Sequence, residues 1–283
     1  MTDPSRPDVD VIVAVRDEAR LVDGKIRDVL ALRYPTARLR LIVADGTSTD
    51  DTPARLARAA ARDPRIEWID AGPGGKAAQL NAALARSQAP WVLVTDADAR
   101  MPADTLIRLV DAARRDARVA VVGTPLVPRG AHPLDEWHWR LSNRIRRIEH
   151  RLGTTGLVVA PCYLFRRSLL DRFPLDAIAD DVHVASLAAA AGRRVALVDV
   201  PVEEVRAPAT GGAWLRVKLR RAQGYLHEVV RFLPRAGGMR GATGTVFFWR
   251  AIALTALPAL AAVLALTAAA AAPSAAVGAS SSA

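Results

Sequence analysis

Short apolar runs alternate with longer segments of helical character through the first half of the chain. Runs rich in β-branched residues cover 9–15, 39–44, 66–69, 91–95 and 119–122, and helical patterns fill the intervals between them. A run that is apolar throughout predicts a strand buried on both faces, and intervening helices predict parallel pairing with right-handed crossovers. The sequence therefore predicts an α/β fold with a doubly wound sheet.

The fourth apolar run stops at two carboxylates that stand one residue apart. The run 91–95 is followed by Asp96-Ala-Asp98. Side chains at i and i+2 of an extended segment point the same way, so the two charges repel unless a cation or a proton intervenes. Ligands of open α/β sheets bind beyond the carboxyl ends of the strands. The pair therefore indicates a divalent-metal site, with a helix-capping loop as the alternative.

Other charged residues follow predicted strands or begin predicted helices. Arg16-Asp17-Glu18 follows the first strand, Asp45 follows the second, and Asp180-Asp181 begins a later helix. In a doubly wound sheet the groups after the first and second strands meet the Asp96 pair at one edge. Each group alone has an alternative reading as a helix cap or a solvated loop charge. The ordered set indicates a binding site more strongly than any single member.

A glycine-rich loop precedes Lys76. The run Gly72-Pro-Gly-Gly-Lys76 resembles a phosphate-binding P-loop, but that motif needs Gly at position 70 and Ser or Thr at 77, where the chain has Asp70 and Ala77. No G-x-G-x-x-G pattern follows the first strand, which argues against a dinucleotide dehydrogenase. Lys76 is a candidate for reaching a phosphate from a helix N-terminus, with a solvated surface lysine as the alternative.

The charge balance points to an anionic partner. The formal net charge is +10, which suits phosphorylated substrates, a lipid surface or nucleic acid. Because the arginines cluster on helical segments near the C-terminus, we expect a membrane rather than nucleic acid. The single cysteine, Cys162, excludes an internal disulfide and fits a reducing compartment.

The second half carries amphipathic and apolar segments. Residues 132–151 and 213–233 mix tryptophans with arginines, which predicts helices at a membrane interface, with ordinary core packing of the tryptophans as the alternative. Residues 251–272 are uncharged and rich in Ala and Leu, and their number is close to the roughly 20 residues that span a bilayer. The sequence thus predicts a C-terminal transmembrane helix at the cell membrane. The arginines before it place the preceding domain on the cytoplasmic side.

Several motifs occur together in a characteristic order. They are Val11-Ile-Val-Ala-Val-Arg16-Asp17-Glu18, Val43-Ala-Asp45-Gly-Thr-Ser-Thr-Asp50-Asp51-Thr52, Gly75-Lys76-Ala-Ala-Gln-Leu-Asn81 and Thr95-Asp96-Ala-Asp98. The set resembles the nucleotide-sugar domain of the inverting family-2 glycosyltransferases, which have a GT-A fold with a mixed sheet. Asp180-Asp181 resembles the acidic pair that supplies the family's base, and Arg220-Arg221-Ala-Gln-Gly224 resembles the tail of its Q-x-x-R-W segment. The similarity covers roughly residues 9–224.

The resemblance implies a role for each matched residue. The donor-binding residues would be Arg16, Glu18, Asp45, Lys76 and Asp96. Asp98, with Asp96, would ligate Mn²⁺ or Mg²⁺ bridging the diphosphate. Asp181, next to Asp180, would be the general base, and Arg220 would help neutralise the leaving diphosphate. The implied organisation is a cytoplasmic GT-A domain over 1–231, a basic interfacial segment over 232–250, a transmembrane helix over 251–272 and a tail over 273–283.

The chain departs from the family pattern at several positions. Ala14 and Asp17 replace a Pro and an Asn, Gly46 replaces an Asp, and Val217 and Arg221 replace the Gln and Trp of the Q-x-x-R-W segment. The last change favours transfer of a single sugar from a nucleotide-diphosphate sugar to a lipid or glycan acceptor. The alternatives are a processive polysaccharide synthase and a catalytically silent nucleotide-sugar-binding or scaffold protein. A sugar nucleotidyltransferase would need a glycine-rich loop after the first strand, which is absent.

Overall fold

Strands and helices alternate through the first half of the structure, as the sequence predicts. The computed structural model describes residues 6–159, 161–206, 211–253, 255 and 267. The elements up to residue 123 are β1 (Val9–Val15), α1 (Val22–Leu30), a 3₁₀ turn (Thr36–Arg38), β2 (Leu39–Asp45), α2 (Thr52–Arg62), β3 (Ile66–Asp70), α3 (Gly75–Arg86), β4 (Trp91–Thr95), β5 (Ala99–Arg100), α4 (Thr105–Arg115) and β6 (Val119–Gly123).

The second half adds long helices and short strands. Its elements are β7 (Leu126–Pro128), α5 (Pro133–Arg151), β8 (Cys162–Arg166), a 3₁₀ turn (Arg167–Leu169), α6 (Asp180–Ala190), β9 (Arg194–Leu197), β10 (Val202–Glu204) and α7 (Gly211–Ala236), and a further helix covers 241–253. The 3₁₀ turn follows β8 directly, and the chain then runs without a further helix or strand to α6.

The main sheet is mixed and doubly wound. Its strand order is β3-β2-β1-β4-β8-β6-β9. The first four strands are parallel, β8 runs antiparallel between β4 and β6, and β9 is parallel to β6. The α/β architecture of the predicted GT-A type is therefore confirmed. The register pairs Val15 with Asp45, so the loops after β1 and β2 leave the sheet side by side.

Helices cover both faces of the sheet, which is why the strands are mainly apolar on both faces. On one face, alternate strand residues such as Val11 and Val13 pack against α1, α2 and α4. On the other face, Ile12 and its neighbours pack against α3 and α6. Leu80 of α3 is fully buried there, and its replacement by Ala would cost about 2–5 kcal/mol of stability.

A second, three-stranded sheet fixes the chain after Asp98. Its order is β5-β10-β7, with β10 antiparallel to β5 and parallel to β7. Ala99 pairs with Glu204 across it. Sequence analysis missed these strands because two or three residues are too few to show a two-residue period.

The predicted C-terminal transmembrane helix is wrong for the structure as described. In the described part of the chain, no helix is both long enough and apolar enough to cross a membrane. The start of the segment packs on the domain instead: Ala251 is buried, and Arg250 forms an ion pair with the buried Glu149 at 2.6 Å. Most of 251–272, and the predicted tail 273–283, lie outside the described residues.

Candidate active site

The loop after β1 is bound to the loop after β2 by hydrogen bonds. Asp17 N–H donates to Ser48 Oγ at 2.8 Å, and Thr49 N–H donates to Asp17 Oδ1 at 2.7 Å. Glu18 N–H donates to Thr52 Oγ1 at 2.9 Å. Asp17 has a φ of 54°, in the left-handed region that Asp tolerates better than most residues. The network fixes the backbone from which Glu18 projects.

Arg16 and Asp45, two predicted donor-binding residues, have local partners. Arg16 is exposed, and its Nε lies 3.9 Å from a carboxylate oxygen of Asp17. Asp45 is buried at the end of β2, where it accepts hydrogen bonds from Ser48 N–H at 3.0 Å and Ser48 Oγ at 2.5 Å. The Asp45 carboxylate therefore shapes the loop that follows it. The roles of both residues toward a donor stay predictions.

Packing explains why a glycine follows Asp45. The amide of Gln79 on α3 donates to the carbonyl oxygens of Val15 and Ala44, at 2.5 and 3.2 Å, and so caps the ends of β1 and β2. A Cβ atom on Gly46 would lie 2.6 Å from that amide nitrogen. A side chain at position 46 would displace Gln79, so the departure from the family pattern has a steric cause.

Lys76 joins two of the predicted acids across the cleft. Its Nζ lies 2.8 Å from Asp96 Oδ1 and 3.0 Å from Asp180 Oδ1. Burial lowers the pKa of Lys76, but the two carboxylates outweigh it and raise that pKa above its ordinary value. Burial raises the pKa of Asp96; Lys76 opposes the shift, whereas Asp180 and Asp98 add to it. The like charges expected from the sequence are therefore present, and a lysine partly offsets them.

The acidic pair at the start of α6 divides between two environments. Asp180 is buried, and its second oxygen accepts a hydrogen bond from Tyr163 Oη on β8 at 2.6 Å. Burial raises the pKa of Tyr163 well above its usual range, and Asp180 raises it further, so the phenol remains a donor. Asp181 is also buried, and Val182 N–H donates to its Oδ1 at 2.9 Å. Both acids stand in the first turn of a helix, where the macrodipole favours negative charge.

Arg206 connects Glu18 to Asp98. Its guanidinium forms a short ion pair with Glu18, and its Nε lies 3.9 Å from Asp98 Oδ2. Burial lowers the pKa of Arg206, but the hydrogen bond to Glu18 and the nearby acids raise it above its ordinary value. Asp96 and Asp98 therefore each have a cationic neighbour, and that cation also pairs with an acid from another part of the chain.

Two cavities meet beside these groups. The smaller, of about 120 Å³, is lined by Lys76, Asp96, Trp139, Asp180, Asp181 and Tyr225. The larger, of about 330 Å³, is lined by Asp98, Glu204, Arg206 and Trp214. Arg220 and Arg221 line both. The smaller cavity alone far exceeds the roughly 10–15 Å³ that one water requires. Substrate-sized groups therefore have access to both acidic pairs.

Arg221 is held at the wall between the cavities. It binds Glu204 at 2.6 Å, and its guanidinium carbon lies 5.6 Å from the centre of the Trp139 ring. Arg220, the predicted catalytic arginine, is exposed on α7 at the rim. Trp139 is buried, in line with core packing, whereas Trp137 is 61% exposed. Of the two arginines, Arg221 is thus the one held at the cavity wall, and it occupies the position of the family's tryptophan.

The carboxylates are suited to a hard divalent cation. In the residues that the structure describes, no three His, Cys, Asp or Glu side chains come together as a metal-binding group. Mg²⁺ is commonly bound by one or two carboxylates together with substrate phosphates, and Mn²⁺ also favours oxygen ligands. Asp98 and Asp96 supply oxygen ligands of that kind, and Asp180 adds a third carboxylate beside them across Lys76. The residues present fit such an ion.

Sequence analysis missed several groups of this site. Arg206 and Glu204 lie around short irregular segments, where no periodic pattern marks them. Lys25 beneath the strand-end pair could have been found, because it interrupts the apolar helical spacing of Val22, Ile26 and Val29. A charge inside a core-facing stripe indicates a buried polar contact.

Comparisons with known proteins agree with the α/β fold. The sequence profile of glycosyl transferase family 2 matches residues 10–173. A mannosyltransferase from Pyrobaculum calidifontis, solved in complex with GDP-Man and Mn²⁺, is 31% identical with a TM-score of 0.78, and the match covers 95% of this chain and 78% of that one. TarS from S. aureus, solved with UDP-GlcNAc, has a TM-score of 0.61 over 87% of this chain and 73% of that one. At 13% identity, it shows the fold alone.

A curated relative matches a shorter part of the chain. The beta-monoglucosyldiacylglycerol synthase of Synechocystis sp. is 36% identical over 107 residues, which are 37% of this chain and 22% of that protein. The matched part thus spans less than a quarter of the length of that relative.

Proposed function

The chain belongs to glycosyl transferase family 2, and on that premise we propose that it transfers a single sugar from a nucleoside-diphosphate sugar to an acceptor hydroxyl, with inversion at the anomeric carbon. The observation that carries the proposal is the meeting of Lys76, Asp96 and Asp180 beside Asp181 in one cavity. Such a reaction needs a cation for the leaving diphosphate and a carboxylate to accept a proton. The cavity wall offers both.

The donor lies across the carboxyl edge of the sheet in this proposal. The nucleoside contacts the hydrogen-bonded loops after β1 and β2, near Arg16, Glu18 and Asp45. Because those loops are already fixed by hydrogen bonds, little ordering remains to be done on binding. The diphosphate then reaches Asp96 and Asp98, which would hold Mn²⁺ or Mg²⁺. Such an ion would supply positive charge for the departing nucleoside diphosphate.

Asp181 is the proposed general base. Each oxygen of Asp180 already has a partner, Lys76 on one side and Tyr163 on the other. Asp181 lines the same cavity one residue further along α6. It takes the proton from the acceptor hydroxyl as that oxygen attacks the anomeric carbon.

Lys76 and the arginines of α7 neutralise the leaving group. Lys76 stands between Asp96 and Asp180, so it turns from one carboxylate toward a phosphate oxygen with a small movement of its chain. Arg220 and Arg221 line both cavities and supply further positive charge. The pairing of Arg221 with Glu204 and Trp139 fills the position of the family's tryptophan, which supports single transfer over a processive synthase.

The proposed acceptor is a lipid or lipid-linked hydroxyl at the cytoplasmic face of the cell membrane. Leu134, Trp137, Leu141 and Ile148 are exposed at helical spacing along α5. Leu215, Leu219, Leu226 and Val230 are exposed along α7, among arginines. Such faces suit the boundary of a bilayer with anionic lipids. The likeness to a beta-monoglucosyldiacylglycerol synthase supports a lipid acceptor.

A thermal-shift screen of nucleotide sugars, with and without Mn²⁺, tests the donor. A true donor at 100 times its Kd should stabilise the chain by about 2.7 kcal/mol, and raise Tm by about 5–10 °C. The donor so identified is then incubated with diacylglycerol vesicles, and the product's anomeric configuration is read by NMR. Stabilisation by no nucleotide sugar would overturn the proposal, and donor binding without transfer or hydrolysis would favour the silent binding protein.

Vesicle sedimentation tests the membrane proposal. The chain should bind vesicles containing anionic lipid more than neutral ones. Trp137→Ser with Leu141→Ser should reduce the bound fraction several-fold, because each removes exposed apolar area from α5. Ser142→Ala on the same helix is the matched control. Equal binding by the double variant and the control would contradict this assignment of the surface.

A further inference from the structure

Lys25 is a buried cation that the proposed reaction does not use. Its side chain is 1% exposed, and it lies on the core-facing side of α1 with Val22, Ile26 and Val29. A buried ammonium group has lost its water and needs hydrogen-bond acceptors in exchange. The hydrogen-bond partners of Lys25 therefore indicate which part of the structure its charge stabilises.

The partners of Lys25 lie on either side of the acidic turn, residues 96–98, which connects β4 to β5. Lys25 Nζ donates to Thr95 Oγ1 at 2.7 Å, directly before Asp96, and to the Ala99 carbonyl at 3.1 Å, directly after Asp98. An ammonium group has three hydrogens, and Asp28 Oδ2, at 3.7 Å from Nζ, lies in the direction of a third acceptor. One side chain thus binds both ends of the segment that carries the two carboxylates.

The partners of Lys25 are themselves held in place. The Thr95 hydroxyl donates to the carbonyl of Pro161 at 2.7 Å, which ties β4 to the segment before β8. Asp28 accepts a hydrogen bond from Met101 N–H at 3.1 Å, just beyond β5. Helix α1 therefore forms three hydrogen bonds to the turn and the residues that flank it, and Lys25 donates two of them. Because Asp96 and Asp98 repel each other, this turn needs such support more than a neutral one would.

We propose that Lys25 is a positioning residue that holds Asp96 and Asp98 in the arrangement that binds the divalent cation and the donor diphosphate. The inference rests on the proposed function of that edge. Lys25 touches neither the acceptor nor the proton-transferring group, so its loss should weaken metal and diphosphate binding while leaving the nucleoside loops intact. Misplacing a ligand by its support typically costs 10–100-fold in metal affinity.

The test is Lys25→Met, which keeps an unbranched side chain but removes the charge and the donors. Mn²⁺ binding in the presence of UDP or GDP is followed by electron paramagnetic resonance, and nucleotide binding in EDTA is followed by calorimetry. The Mn²⁺ Kd should rise at least about tenfold. The nucleotide Kd in EDTA should stay within about threefold, because the hydrogen bonds of the Lys25 side chain go to Thr95 and Ala99 and not to the loops after β1 and β2.

Two further variants separate positioning from general destabilisation. Val29→Ala removes buried apolar atoms one turn along α1 without touching the acidic turn, and it should keep the Mn²⁺ Kd of the unaltered chain. Lys25→Gln retains a donor for Thr95 and Ala99, so it should retain more Mn²⁺ affinity than Lys25→Met. Should Lys25→Met fail to fold, the comparison of Lys25→Gln with Val29→Ala carries the test.

The outcomes distinguish this inference from the proposed function. A folded Lys25→Met or Lys25→Gln variant with unchanged Mn²⁺ affinity overturns the positioning role alone. Equal losses in Val29→Ala and the Lys25 variants overturn it as well. If the unaltered chain binds no Mn²⁺ with either nucleotide, the metal site of the proposed function is what fails.

Discussion

Each end of the strands in the main sheet carries a carboxylate that is at least partly buried, Asp10 where the strands begin and Asp96 where they end, but the surroundings shift the two pKa values in opposite directions. At the edge where strands begin, Asp10 accepts hydrogen bonds from Ser87, from the backbone N–H groups of residues 88 and 89, and from Arg40. Burial alone would raise the pKa of Asp10, but those donors outweigh it and lower the pKa below its usual value. At the edge where strands end, the pKa of Asp96 is raised by burial and by its acidic neighbours.

The difference separates structural acids from acids that await a ligand. Asp10 is fully bonded within the chain, so its charge contributes to stability above its usual titration range. Asp96 shares Lys76 with Asp180 and stands next to Asp98, so negative charge exceeds the positive charge beside it. An incoming cation would relieve that excess. A buried carboxylate alone does not mark a site, whereas like charges with too few counter-charges do.

The largest effect is expected from Asp181→Asn at the strand-end edge. An amide cannot accept the acceptor's proton, so kcat should fall by about 10²–10⁴-fold. Donor binding should survive, because Lys76, Asp96 and Asp98 are untouched. Turnover and calorimetric donor affinity, measured with the nucleotide sugar identified by thermal shift, check the two halves separately. Near-unaltered turnover would mean that the base lies elsewhere.

Asp10→Asn is the matched change at the opposite edge. The new side-chain amide group is itself a donor, but it would lie against backbone N–H donors. The substitution also removes the charge-assisted hydrogen bonds from Arg40. It should therefore lower the free energy of unfolding by about 2 kcal/mol. Turnover per folded molecule should not change. If Asp10→Asn abolished transfer in folded protein, the division between the two edges would not hold.

The next largest effect is expected from Asp98→Ala. Losing a carboxylate ligand should weaken Mn²⁺-dependent donor binding by about 100-fold, while binding in EDTA should be unaltered. Calorimetry with and without Mn²⁺ measures this difference. Unchanged affinity in the presence of Mn²⁺ would remove Asp98 from the proposed metal site.

A third effect concerns the pH dependence of stability. Burial lowers the pKa of Lys25, and although the nearby Asp28 carboxylate opposes this shift, the pKa falls to about 8. Between about pH 8 and 10.5 the unfolded chain therefore binds more protons than the folded chain, and the free energy of unfolding should rise with pH by up to about 1.4 kcal/mol per unit. Asp10 shifts stability with the same sign but in the acid range, because its stabilising charge is lost as pH falls below its ordinary pKa.

The difference between the unaltered chain and Lys25→Met isolates this contribution. Burial raises the pKa of Cys162 to about 12, and that of Tyr34 to about 12, which makes stability fall with pH in the same range. Both groups are common to the two proteins, so they largely cancel in the difference. Urea denaturation at pH 7.5, 8.5 and 9.5 should show the unaltered chain gaining on the variant. A constant difference would show that Lys25 does not titrate there.

The sequence predicts the layers of the fold because both faces of the strands are apolar. The run 91–95 is buried along its length, and α6 begins at the acids that the sequence marks. The short strands β5, β7 and β10 are not predictable from the sequence, because two or three residues are too few to show the two-residue periodicity of a strand. The apolar run over 251–272 was a poor predictor of a membrane span, because no helix in the described part of the chain is long and apolar enough to cross a membrane.

The acids of the site were predictable, whereas their counter-ions were not. Asp96, Asp98 and Asp181 follow or begin regular elements, so topology alone brings them to one edge. Arg206 and Arg221 reach the same edge from segments far along the chain, and only the folded structure shows which acid each one binds. Tertiary packing determines the ion-pair partners of long, flexible side chains, so a local sequence pattern does not reveal them.

The smallest effect is expected from Arg206→Gln. Arg206 lies 3.9 Å from Asp98 and binds Glu18, so it competes with a cation for this edge. Its side chain is half-exposed, and such a pair contributes about 0.2–1 kcal/mol, so Mn²⁺ without nucleotide should bind about 2–5-fold more tightly in the variant. Arg40→Gln at the other edge is the control, because Arg40 pairs with Asp10 and should not affect Mn²⁺. Weaker Mn²⁺ binding in Arg206→Gln would mean that Arg206 supports the acidic turn instead of competing for it.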